Sequence, residues 1–118
     1  MITQLAWVAL GGAVGSMLRY GCSRALNMAM FPFGTLVVNV LGCLAIGLLW
    51  GLFTRHTNEQ LRLLLVTGFC GGFTTFSTFT YESIQLLQEN RWATFIVYTG
   101  LSILLGLAAT FLGYKLTS

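Results

Sequence analysis

The sequence predicts an all-α membrane protein with four transmembrane helices, and three observations carry that assignment. Of 118 residues, 56% are hydrophobic and only 8% are charged, whereas a soluble domain is about one-quarter charged. The charges that exist are spaced so that four apolar runs lie between them, each near the roughly 20 residues that a bilayer-crossing helix needs. Almost no polar face remains to meet water, which excludes the buried helices of a soluble bundle. The length allows one domain, expected over residues 1–118.

The four expected spans are 2–24, 33–54, 60–88 and 92–115. The first carries Arg19 near its end and has no basic stretch before its apolar core, which argues against a cleaved signal peptide. The second follows Pro32, a residue suited to a helix entry because its missing N–H would be an orphan there. Its one strongly polar side chain is Asn39. The third has Thr57 or Asn58 as a candidate cap; it is longer than a simple crossing needs and is interrupted in its middle. The fourth follows the turn Glu89-Asn90-Arg91 and is free of charge from Trp92 to Tyr114.

A net charge of +3, from six Lys+Arg against three Asp+Glu, is too small and too scattered for a nucleic-acid partner. The lone His56 falls in a loop with no nucleophile beside it, so an enzyme is not expected. Cys22, Cys43 and Cys70 show no Cys-x-x-Cys spacing and read as small apolar packing residues. Four crossings place Arg55, Arg62 and Lys115 on one face of the membrane and Arg24, Arg91 and, depending on its depth, Arg19 on the other. That balance of basic residues sets no strong orientation, so the chain can insert either way and form antiparallel pairs. Four helices fill their own centre with side chains, so a solute pathway calls for an oligomer. A two-fold dimer is the commonest closed form, and an inverted pair would resemble the inverted repeats of larger transporters. Gly11/Gly15, Gly47/Gly51 and Gly68/Gly72 are each four apart, a spacing that lets helix backbones approach.

The most specific stretch runs from Gly71 through Glu82, with the order Gly-Gly-Phe-Thr-Thr-Phe-Ser-Thr-Phe-Thr-Tyr-Glu. Two glycines followed by two β-branched threonines make a poor helix centre, so a break is expected near 71–75. Backbone groups freed there must meet protein, water or an ion. Phe76 and Phe79, three apart, share a face of the half-helix that follows. Ring edges are positive, so edge-on phenylalanines can solvate a small anion without a fixed cation. Thr74, Thr75, Ser77, Thr78 and Thr80 add hydroxyl donors. The alternative is that the rings only pack and the hydroxyls bond back to the helix. Glu82 needs a partner or neutralisation and reads as a proton-coupled group, a structural hydrogen-bonder or a paired ion. Arg19 suits backbone carbonyls, an acid, or the headgroups. Tyr98 and Ser102 line one helical face of the fourth span.

With these residues in view, the chain resembles the Fluc (CrcB) family of fluoride channels over essentially its full length. Gly12–Arg19, Gly34–Asn39 and above all Gly71–Phe79 carry the resemblance. It implies an antiparallel, dual-topology homodimer in a bacterial inner membrane, multi-pass, with two pores through which cytoplasmic fluoride leaves passively, protecting the cell from its toxicity. It assigns Phe76 and Phe79 to the ring-lined path, Asn39 to the pore, and Ser77, Thr78, Tyr98 and Ser102 to the polar track, with Thr35 and Glu82 beside it. Arg19 falls in the first of the carrying motifs and takes a structural or electrostatic part. It further implies a structural Na⁺ at the dimer interface, held by backbone carbonyls of Gly71 and Thr74 from both subunits. Where members can carry a further serine one turn after Ser102, this chain has Gly106, so the track is shorter there or completed by water. The rival class is a small multidrug-resistance-type proton-coupled transporter. Such transporters keep an essential carboxylate in the first span, where this chain has no acid.

Overall fold

A computed structural model of the chain describes residues 1–28 and 30–118, and all regular structure among them is helical. Helix α1 spans Ile2–Leu26 and α2 spans Phe33–Phe53. Helix α3 opens at Glu59–Arg62 and continues through a π-helical stretch, Leu63–Cys70, into Gly71–Phe73. The chain then breaks and resumes as α4, Phe76–Gln88, before α5, Trp92–Thr117.

Among the described residues, three segments are long and apolar enough to cross a membrane: Phe33–Phe53, Glu59–Gln88 and Trp92–Thr117. Helix α1 is not one of them. Its 25 residues reach about 37 Å at 1.5 Å each, but Gln4, Ser16, Arg19 and Arg24 dilute its apolar content. Of the four expected runs it is therefore the least apolar.

The helix ends follow local chemistry. Asn27 leaves α1 in an extended conformation (φ −66°, ψ 132°). Met28 and Phe31 then exchange two backbone hydrogen bonds of 3.2 Å, closing a tight turn. Pro32 caps α2 from just outside rather than occupying its first helical position. Of the two candidate caps for α3, Asn58 does the work: its Oδ1 accepts from the Leu61 N–H at 3.1 Å, satisfying one of the orphan donors of a helix start. Asn90 turns the chain between α4 and α5 at φ 59°, a left-handed conformation that asparagine tolerates.

Glycines decide which helices touch. A Cβ on Gly11 would lie 2.8 Å from the Phe69 nitrogen, and one on Gly15 would lie 2.9 Å from the Phe73 nitrogen. From the other side, a Cβ on Gly68 would meet the Val8 carbonyl at 2.7 Å and one on Gly72 the Gly12 carbonyl at 2.6 Å. The Gly11/Gly15 and Gly68/Gly72 pairs thus face each other, and α1 lies backbone to backbone on α3. Gly47 and Gly51 do the same for α2 against Thr110 and Tyr114 of α5, with Gly113 answering from α5 near Leu44. The molecule is two glycine-seamed pairs, α1/α3 and α2/α5. Helix α4 leaves the first pair after the break and packs Leu86 with Leu36 and Tyr98 in a shared core.

That core is small, and large apolar side chains are directed outward. Leu104 and Leu107 are each 67% exposed, which suits a surface whose solvent is hydrocarbon. The long dimension of 47 Å matches a bilayer with its headgroups.

Gly15→Val should separate α1 from α3. Overpacking of this kind costs about 1–3 kcal/mol, read as a lower thermal unfolding midpoint in detergent. Gly100→Ala, at a glycine with no neighbouring atom within 4 Å, should leave the midpoint unchanged or raise it.

Candidate functional site

The break is the site's origin. Thr74 (φ −82°, ψ 156°) and Thr75 (φ −147°, ψ 121°) are both extended, so the helical hydrogen-bond ladder stops between Phe73 and Phe76. Unpaired backbone groups at membrane depth cost several kcal/mol each, and neighbours supply partners. Asn39 of α2 makes a reciprocal pair: its Oδ1 accepts from the Thr75 N–H at 2.8 Å and its Nδ2 donates to the Thr75 carbonyl at 3.0 Å. From α1, Arg19 Nε donates to the Gly72 carbonyl at 3.1 Å. Of the partners open to Arg19, a backbone carbonyl at the end of a half-helix is the one it takes, where a cation also suits the local dipole. Thr75 Oγ1 caps α4 by accepting from the Thr78 N–H at 3.1 Å. The carbonyls of Gly71 and Thr74 receive no hydrogen bond from any described residue, and nothing lies within 4 Å of the Gly71 Cβ position.

A groove of about 470 Å³ opens beside the break, lined by Asn39, Gly71, Thr74, Thr75, Phe76, Phe79 and Ser102, with Cys43 and Cys70 among its apolar members. The Phe76 and Phe79 rings stand 5.9 Å apart between centroids, tilted by 44°. Phe76 is 76% exposed in the single chain. Phe79 is partly buried and touches the Tyr98 ring at 5.2 Å. Ser102 Oγ is buried without a hydrogen-bond partner, as is Thr35 Oγ1. Most helical hydroxyls here do bond back to the chain: Thr74 Oγ1 to Cys70, Thr80 Oγ1 to Ser77 and Ser83 Oγ to Phe79. The hydroxyls of Thr74 and Thr80 are therefore committed to the backbone and are not free donors. Ser102 and Thr35, with Thr99 Oγ1 as the third such atom among the described residues, stand out because an unsatisfied buried hydroxyl costs about 1–3 kcal/mol.

Beyond Phe79 lies a second polar cluster. Tyr98, fully buried, donates its hydroxyl to Glu82 Oε1 at 3.1 Å. The other carboxylate oxygen accepts from Asn27 Nδ2 at 3.2 Å. Glu82 is thus a hydrogen-bond acceptor, with no ion-pair partner among the described residues. Ser77 and Thr78 sit on the first turn of α4, and neither lines the groove; Ser77 Oγ lies 3.4 Å from Thr75 Oγ1. Two contributors escaped the sequence reading. Thr75 acts through its backbone and cap rather than as one hydroxyl among several. Asn27 gave only a faint signal, an asparagine at the end of an apolar run, and nothing in sequence linked it to Glu82.

Comparison with known proteins gives one consistent result. The model of a family described as CrcB-like protein, camphor resistance, matches residues 6–114. A protein of Nitratidesulfovibrio vulgaris named fluoride-specific ion channel FluC is 46% identical over 115 residues, covering 93% of each chain. One of Rhodococcus jostii named fluoride-specific ion channel FluC 2 is 49% identical over 112 residues, covering 94% of this chain and 96% of its own. One of Azobacteroides pseudotrichonymphae, again named fluoride-specific ion channel FluC, is 41% identical over 122 residues, covering 99% and 98%.

Asn39→Ala should remove both bonds to Thr75 and lower stability by about 2 kcal/mol. Thr75→Val, which loses the cap and the long contact with Ser77 Oγ but keeps both backbone bonds to Asn39, should cost about 1 kcal/mol. Thermal unfolding of the detergent-solubilised protein checks the order, and equal midpoints would contradict it.

Proposed function

We infer that this chain, which belongs to the CrcB family, is a fluoride-specific ion channel that lets cytoplasmic fluoride leave the cell passively. The observation that carries the reading is the groove at the helix break, where two phenylalanine rings, an asparagine and a partnerless buried serine hydroxyl converge without any fixed cation.

Fluoride is small and strongly hydrated, so a narrow path must replace its water with several modest donors. The Ser102 hydroxyl has its proton free. Asn39 Nδ2 carries two protons and places one on the Thr75 carbonyl, leaving the second for the groove. Phe76 and Phe79 contribute positive ring edges, and Tyr98, whose ring packs on Phe79, continues the track with Thr35. Ser77 and Thr78 serve the track at its margin. A set of weak sites binds the ion enough to admit it and weakly enough to release it. The membrane potential and the fluoride gradient supply the driving force, and the result is protection against fluoride. The multidrug-transporter alternative loses its ground here, because the full-length relatives named above carry fluoride-channel names and Glu82 is held by two neutral donors.

The working unit is an antiparallel, dual-topology homodimer in the bacterial inner membrane, each chain crossing four times as a single domain. The exposure of Phe76 and Gly71 beside the break supports a second copy seated there. The donor set also fits a structural Na⁺. Gly71 and Thr74 offer two unengaged carbonyl oxygens per chain, hard ligands at a half-helix C-terminus. Two chains would supply four. Na⁺ bound there would satisfy these carbonyl lone pairs and tie the subunits together.

Liposomes containing the purified protein, read with fluoride and chloride electrodes, should show rapid fluoride efflux and little chloride efflux. Phe79→Ile should slow fluoride by about tenfold or more, ~1.4 kcal/mol on the barrier, in protein that still assembles. Well-folded protein without fluoride flux would overturn the reading. Replacing Na⁺ throughout purification by a bulky organic cation should weaken dimerisation and flux; unchanged assembly would remove the sodium from the model.

A further inference from the structure

We propose that Asn27 is a positioning residue of the pathway: it holds the Glu82 carboxylate so that the Tyr98 hydroxyl can be released to a passing anion. The proposal rests on the channel reading above. Asn27 sits outside the helices, at the end of α1, yet it joins two of them. Its Oδ1 accepts from the Thr35 N–H in the first turn of α2 at 3.2 Å, and its Nδ2 donates to Glu82 Oε2 on α4 at 3.2 Å. The remaining oxygen of Glu82 takes the proton of Tyr98 at 3.1 Å.

A phenol has one proton to give. While it lies on Glu82 it is closed to fluoride, which accepts hydrogen bonds and offers none. How firmly Glu82 keeps it depends on what else shares the carboxylate's charge, because charge-assisted bonds are about twice as strong as neutral ones. Asn27 is the second donor. With it, the negative charge is divided between two partners and the bond to Tyr98 can be exchanged for one to an anion. Without it, the carboxylate falls back on Tyr98 alone and faces the path with its charge less compensated.

Two further features support a built arrangement. A Cβ on Gly34 would lie 2.7 Å from Asn27 Oδ1, so α2 carries a glycine where the amide must approach. Asn27 and Glu82 also share the wall of a polar pocket of about 110 Å³ with Gln85 and Arg91, while Phe79, which packs on the Tyr98 ring, lines the break groove. Glu82 thus joins this pocket to Tyr98 through its second oxygen.

The test exchanges donor and acceptor. Asn27→Asp keeps an oxygen for the Thr35 N–H but sets a carboxylate against Glu82. Adding Glu82→Gln restores the pair in reverse, with the new amide donating to the new carboxylate while its own oxygen still accepts from Tyr98. Fluoride efflux per assembled protein should fall about tenfold in Asn27→Asp, with assembly and thermal midpoint retained. The double variant should recover most of the loss, and Glu82→Gln alone should not exceed it. Unchanged efflux in Asn27→Asp, or a double variant no faster than the single, would overturn the proposal and leave Asn27 a structural tie. If Asn27→Asp does not assemble, Asn27→Ala decides: flux per assembled protein equal to the unaltered chain overturns it, and reduced flux upholds it. An unaltered chain that passes no fluoride would instead overturn the channel reading itself.

Discussion

Everything at this site depends on a helix being allowed to stop inside hydrocarbon. Water cannot satisfy the freed peptide groups there, so each must find a donor or acceptor in the protein. Asn39 meets that demand for Thr75 with one amide, which pairs with the N–H and carbonyl of the same residue much as a neighbouring strand would. Arg19 meets it for Gly72, and the Thr75 hydroxyl starts the second half-helix. Once these are in place, the chain can turn its next residues away from α1. Phe76 and Phe79 are then carried to the α2/α5 side, where Ser102 waits.

The glycine seams set the distances on which this depends. Asn39 reaches Thr75 because α2 is held close to the broken helix, and Gly42 of α2 faces the Thr74 side chain there. Arg19 reaches Gly72 because Gly15 and Gly12 bring α1 within backbone contact of α3. In a bilayer such closeness is gained through van der Waals packing rather than burial from water. The small residues therefore place the polar ones.

Much of this was legible in the sequence, for identifiable reasons. Charge scarcity and run length gave the helices, because a bilayer imposes length and apolarity directly on composition. The break could be located to within a few residues, since Gly71-Gly72 and Thr74-Thr75 are locally poor helix formers whatever surrounds them. What could not be read was pairing. That the Gly11/Gly15 pair answers Gly68/Gly72, that Asn39 spends its amide on Thr75, and that Asn27 joins Glu82 are matters of residues 36 to 57 positions apart, fixed by helix packing alone. The hydroxyls show the same limit. A serine or threonine that bonds back to its own helix, such as Thr80, looks the same in sequence as one left open, such as Ser102.

A discontinuity in a membrane helix is commonly the place where a protein bends. Here it is fastened from α1 and from α2, one neighbour on each side of the gap, so it cannot serve as a joint. The groove beside it accordingly keeps a fixed backbone frame. On the channel reading, what an ion requires of the groove comes from side-chain hydrogen bonds that exchange within that frame, as for Tyr98 on Glu82, and not from a bending of the helix.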